Sequence, residues 1–197
     1  DGIVEWARSS KYLAPPFEVA HGGGIFRSMT EDFTSNDNNE LDKLNHQIMQ
    51  GFNMRYSATH SEALKSNADG KFYFIETSAR VGGAHIAEMV EAATGLNLWE
   101  EWAKVEYANA MGQIYKTPET RENHAGIIIS LVKHTKPDYT RFNEPEVVWK
   151  MDDLDHHIGV IVKSAHRDRV KFLLDSYATT IQNEFHVAAP APDKPIH

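Results

Sequence analysis

The sequence predicts an α+β fold. Three observations carry that prediction: a hairpin signal at Asp69-Gly70, two continuous apolar runs in the second half of the chain, and four stretches whose apolar residues step by three and four. At 197 residues the chain can bury a real core, and its 41% hydrophobic and 24% charged residues are globular proportions. Acidic residues outnumber basic ones 28 to 20, a net charge of −8, which argues against a nucleic-acid surface. No apolar run approaches the ~20 residues of a membrane span, and no signal-peptide pattern opens the chain. With Cys at 0, disulfides, thiolate metal sites and a cysteine nucleophile are excluded. The expectation is a cytoplasmic protein with no nucleic-acid or membrane partner. Its opening at Asp1-Gly2-Ile3-Val4, without Met, reads as a cut inside a longer chain.

The first element expected is a strand over residues 3–8, interrupted by Pro15-Pro16, with a flexible turn at Gly22-Gly23-Gly24. Ser35 or Asn36 then caps a helix whose apolar positions are Leu41, Leu44, Ile48 and Phe52, stopping near Gly51. Residues 55–64 and 71–77 read as two strands around Asp69-Gly70. A helix over 84–94 carries Ile86, Met89, Val90 and Ala93 on one face, and Gly95 ends it. The next helix turns Leu98, Trp102, Val105 and Met111 inward, with Trp99 and Trp102 read as core. After a charged linker over 116–123, residues 127–132 and 158–162 read as buried strands, with a shorter one over 146–149. Val170, Leu173, Leu174, Tyr177, Ile181 and Phe185 then mark the inner face of a helix over 166–185, and Arg167, Arg169 and Lys171 its solvated face. The tail over 188–197, rich in Pro and Ala, reads as disordered.

Chemistry concentrates around the hairpin. With a three-residue loop at Ala68-Asp69-Gly70, Asn67 pairs with Lys71 and Glu62 falls opposite Glu76; a two-residue loop shifts the register by one. Residues two apart on a strand share a face, so His60 goes with Glu62, and Glu76 with Ser78 and Arg80. Two carboxylates ~5 Å apart repel by roughly 3 kcal/mol at an effective dielectric near 20. A divalent cation reverses that sign, and Mg²⁺ takes one or two carboxylates and fills its other positions with water and phosphate oxygens. Arg80 is then placed to hold a phosphoryl or carboxylate group. Gly82-Gly83, leading into a helix, lets backbone N–H groups approach an anion. Against this stands a plain alternative, two solvated glutamates neutralised by Arg80. Among other candidates, His156 and His157 point to opposite faces of a strand and make a poor chelate. His21 precedes the glycine triplet but lacks the Lys of a P-loop.

The run Glu76-Thr77-Ser78-Ala79-Arg80-Val81-Gly82-Gly83-Ala84-His85, followed by Val90-Glu91-Ala92-Ala93-Thr94-Gly95, resembles the signature of ATP-grasp enzymes. Upstream, Thr59-His60-Ser61-Glu62 resembles the strand that brings their first metal-binding glutamate. The similarity covers roughly the first 110 residues. It implies the C-terminal half of an ATP-grasp domain over 1–115, an antiparallel sheet with helices on one face, then a small αβ C-terminal subdomain over 122–187. By the same resemblance Glu62 and Glu76 bind Mg²⁺ or Mn²⁺ bridging the ATP phosphates, and Ser78 stands where the family usually has an Asn ligand. Arg80 becomes the catalytic residue, and Gly82, Gly83 and His85 lie at the ATP or its substrate.

The activity implied is ATP-dependent, ADP-forming C–N ligation: a small-molecule carboxylate is activated as an acyl-phosphate and joined to an amine. Gly82-Gly83 resembles carboxylate–amine ligases and carbamoyl-phosphate-synthase-like proteins more than biotin carboxylases. The partners implied are those substrates, a missing N-terminal portion of the same protein, and a homodimer as a candidate assembly. The piece alone is expected to bind nucleotide weakly and not turn over. Because a hydroxyl is a weaker ligand than an amide, Ser78 keeps open the alternative of a non-catalytic ATP-grasp-like binding or regulatory module.

Overall fold

The two apolar runs of the second half pair with each other along their whole length in this computed structural model, which describes residues 3–15, 19 and 23–187. Strand β5 (His124–Leu131) lies antiparallel to β7 (His157–Ser164), with Ile127 opposite Ile161 and Ile128 opposite Val160. Around this pair stand β1 (Ser10–Tyr12), β2 (Phe26–Thr30) and β6 (Val147–Lys150), giving a five-stranded antiparallel sheet in the order β1-β2-β5-β7-β6. The long helix α4 (Arg167–Thr180) packs on it and ends in a π-helical turn, Ile181–Phe185. Val170, Leu173, Leu174, Tyr177, Ile181 and Phe185 are all buried, against Ile128, Val160, Val162 and Phe142. Gly126 makes the close approach possible: a Cβ there would lie 2.5 Å from Leu174 Cδ1 and 2.9 Å from Val170 Cγ1. Together these elements form one unit, Ser10–Thr30 with Glu122–His197.

The other unit comprises Asp1–Ser9 with Glu31–Arg121. Helix α1 (Asn36–Gly51) starts where Ser35 accepts a hydrogen bond from the Asn38 N–H at 3.1 Å. A two-stranded hairpin follows, β3 (His60–Lys65) and β4 (Phe72–Ser78). Helix α2 (Ile86–Thr94) buries Ile86, Met89, Val90 and Ala93 and stops at Gly95, whose φ of +83° is the left-handed stop that glycine permits. Asn97 caps α3 (Leu98–Ala110) through the Trp99 and Glu100 N–H groups. Among the described residues no helix is long and apolar enough to cross a membrane.

Several expectations need correction. Residues 3–9 form no strand; pairing begins at Ser10. Ser10–Tyr12 and Phe26–Thr30 join the later sheet, so the boundary near residue 121 is crossed by an early segment of the chain. Local patterning cannot register a pairing such as Arg27 with Ile128, a hundred residues away. Helix α3 buries Ala108; Met111 is exposed, and Trp99 stacks on Trp102 at 6.1 Å while 53% exposed, so Trp99 is no core residue. The 188–197 tail, His21 and Gly22 lie outside the described residues.

Candidate metal and anion site on the β3–β4 hairpin

The hairpin closes differently from the expected loop, yet the two glutamates still oppose each other. Ser66 N–H donates to the Lys71 carbonyl at 2.8 Å, so the loop holds four residues, Asn67 to Gly70, rather than three. Asp69 knits it together, accepting from the Lys71 N–H at 3.1 Å and from the Tyr73 hydroxyl at 2.8 Å. These bonds, the Lys71 N–H foremost, hold its carboxyl below the usual aspartate range. A four-residue loop puts Lys65 opposite Phe72 and Ala63 opposite Phe74; unbroken, that register would set Glu62 against Ile75. Between Glu62 and Ala63 the register shifts, Ile75 is the extra residue of a bulge, and Glu62 comes opposite Glu76.

Which face carries the carboxylates is set by the opposite one. Ser61 and Thr77 bond hydroxyl to hydroxyl at 2.8 Å, and Ser61 Oγ donates to Asn45 of α1 at 3.3 Å. Lys65 reaches Asp37 of α1 at 2.6 Å, and Phe74 packs near Phe52, ring centroids 6.1 Å apart. That face lies on the helix. His60, Glu62, Glu76 and Ser78 occupy the alternate positions, on the face turned away from it. Directly paired residues have Cβ atoms about 4.5–5.5 Å apart, so like charges at such a pair repel, and a cation bound between them would reverse that. His60 pairs with Ser78 in the ladder, and its Nε2 lies 3.5 Å from Glu62 Oε1.

Beyond β4 the chain turns toward α2. Exposed Arg80 donates through one terminal nitrogen to the Val81 carbonyl at 2.9 Å. Val81 is buried and anchors the segment. The two glycines differ: Gly82 is buried, Gly83 exposed. A Cβ on Gly82 would come within 3.0 Å of His60 Nδ1 and 3.3 Å of Ile86 Cγ2, whereas one on Gly83 would meet Arg80 at an ordinary 3.8 Å. Ala84 and His85 both hold left-handed backbone, φ +50° and +55°, a strain of order 1–3 kcal/mol each. His85 precedes α2 and lies 3.6 Å from Glu88.

The oxygen-bearing side chains at these alternate positions, Glu62, Glu76 and Ser78, offer two carboxylates and a hydroxyl, all hard donors. Among the described residues no group of three His, Cys, Asp or Glu could hold a metal ion alone. This set does not suit a closed zinc site, which takes four protein ligands, but fits a cation such as Mg²⁺ that keeps waters and phosphate oxygens. A surface depression of about 530 Å³ lies elsewhere, along α3 between Lys104, Tyr107, Ile114 and Tyr115. Sequence reasoning gave His60 a face but no role, and it missed the bulge at Ile75. The signal for a bulge was present: Phe72-Tyr73-Phe74-Ile75 breaks the alternation of a half-buried strand.

No protein-family model matches the chain, and no curated protein matches it in sequence. Solved structures do match in fold. L-amino acid ligase from Bacillus licheniformis aligns with a TM-score of 0.60 at 14% identity, over 84% of this chain and 44% of that one. Phosphoribosylglycinamide synthetase from Anaerococcus prevotii aligns with a TM-score of 0.53 at 14% identity, over 83% of this chain and 45% of that one. The chain spans less than half the length of either, and what it shares with them is the fold of that part.

Proposed function

We propose that this chain is part of an ATP-dependent ligase that activates a small-molecule carboxylate and joins it to an amine in the cytoplasm. The observation that carries the reading is the Glu62–Glu76 pair, held opposite each other by a bulge on the hairpin face that α1 leaves uncovered. Arg80 and the Gly82-Gly83 turn follow within seven residues of Glu76. The fold shared with an L-amino acid ligase supports the same class of chemistry.

Glu62 and Glu76 are the residues that would hold Mg²⁺ or Mn²⁺, with the Ser78 hydroxyl as a further oxygen donor. When bound, the cation supplies neutralisation of the charge on the ATP phosphates. Arg80 binds the transferring phosphoryl group through charge-assisted hydrogen bonds, and the guanidinium fork suits its oxygens. Gly83, with its backbone exposed, admits an anion close to the chain ahead of α2. His85 orients the substrate beside it. The acid's carboxylate attacks the terminal phosphorus and ADP leaves; the amine then attacks the acyl carbon, releasing phosphate and a proton.

The test is ADP release by the full-length protein with a panel of amino acids as acid and amine. Substrate-stimulated release that falls at least ~100-fold in Glu76→Gln supports the ligase. One feature favours a second reading, a non-catalytic module: Ser78 gives the site a hydroxyl where an amide would bind a second cation more firmly. Nucleotide binding without stimulated release in wild type or variant supports that module.

A further inference from the structure

Gly82 was expected, with Gly83, to open the backbone to an anion, but its surroundings assign it different work. It is buried, and the space its missing side chain leaves is filled by the His60 imidazole. A Cβ at Gly82 would stand 3.0 Å from His60 Nδ1 and 3.4 Å from its Cε1, closer than a relaxed contact permits. Ile86 Cγ2, at 3.3 Å, closes the same space from α2, and Ile86 and Val81 are themselves buried at 7% and 2% exposure. The imidazole therefore rests on a floor tied into the core of its unit. Its other edge faces the carboxylate: His60 Nε2 lies 3.5 Å from Glu62 Oε1, and the two side chains are 21% and 29% exposed. That distance exceeds a formed N–H···O hydrogen bond, and such contacts often tighten only when a site is loaded.

We infer that His60 is the positioning residue of Glu62, and that Gly82 exists to seat His60. A cation site gains affinity when the orientation of a carboxylate is held beforehand. The ring of His60, fixed at one edge by Gly82 and Ile86, supplies that hold. Gly83 has no such duty, since an added methyl there meets only Arg80 at 3.8 Å. This inference rests on the metal reading of Glu62 given above.

The test uses Mn²⁺ alone as probe, titrated into the chain by electron paramagnetic resonance, for wild type, His60→Ala, His60→Gln, Gly82→Ala and the His60→Ala/Gly82→Ala double variant. His60→Ala is expected to weaken Mn²⁺ binding about 10-fold, the low end of what outer-shell substitutions cost. His60→Gln, which keeps a donor, recovers most of that loss. Gly82→Ala weakens binding as His60→Ala does, and the double variant is no weaker than His60→Ala alone. Unchanged affinity in His60→Ala, or losses that add in the double variant, overturns the inference. A wild type that takes up no Mn²⁺ overturns the metal reading instead. Should Gly82→Ala fail to fold, the two His60 variants still decide.

Discussion

At the scale of single residues, Glu62 and Glu76 are a liability to the hairpin by itself. Opposed like charges on neighbouring strands cost roughly 0.2–1 kcal/mol, and with Glu76 exposed and Glu62 half-buried solvent screens the pair toward the lower figure. Glu76→Gln should therefore make the metal-free chain more stable by a few tenths of a kcal/mol, measured by urea unfolding in EDTA. The same variant should lose any stabilisation that wild type gains from Mg²⁺. A destabilised variant in EDTA would mean that Glu76 serves the fold rather than a cation. This pairing was legible in the sequence because side chains two apart share a face, but the route to it was not. The expected three-residue loop and the observed four-residue loop with a bulge lead to one register, and only the broken alternation of Phe72 to Ile75 separates them. His60 shows the opposite limit. Its face could be read from spacing, whereas its seat on Gly82 depends on where the turn after β4 returns.

At the scale of elements, α4 on β5 is the tightest joint. Gly126→Ala would push a methyl into Leu174 and Val170, both buried, and overpacking of this kind costs about 1–3 kcal/mol. Urea unfolding followed at the tryptophans should show that loss, and unchanged stability would show that Leu174 can yield. A second joint is electrostatic. Arg169 of α4 bonds Glu146 at 2.8 Å and Glu144 at 3.0 Å, and its hydrogen bond holds the Glu146 carboxyl below the usual glutamate range. A carboxyl depressed in the folded state stabilises above its unfolded value near 4.5, and that contribution is lost as the pH falls through the folded value. Arg169→Met should flatten the loss of stability on acidification below about pH 4.5, and an unchanged acid limb would sink that account. The helices and apolar strands were legible because their burial follows period: Val170, Leu173, Leu174, Tyr177, Ile181 and Phe185 all face inward as spaced. Helix α3 was not. Trp99 and Met111 fit an inward face by composition, yet nothing in their unit covers them.

At the scale of the whole molecule, the chain spans 44% of the ligase and 45% of the synthetase whose fold it shares. An α+β fold with an antiparallel sheet was legible from pattern. Which strands share a sheet was not, because Ser10–Tyr12 and Phe26–Thr30 pair across long sequence separations. On the proposed reading, MgATP binds this chain alone more weakly than micromolar, since one set of phosphate-binding groups is too few to hold it; calorimetry checks this, and micromolar affinity would contradict it. The most direct test of the central claim is narrower. Mn²⁺ titrated into wild type, Glu62→Gln and Glu76→Gln by electron paramagnetic resonance should show a bound ion in wild type and at least ~10-fold weaker binding in each variant. Equal binding by all three would contradict the assignment of these two glutamates as the metal site.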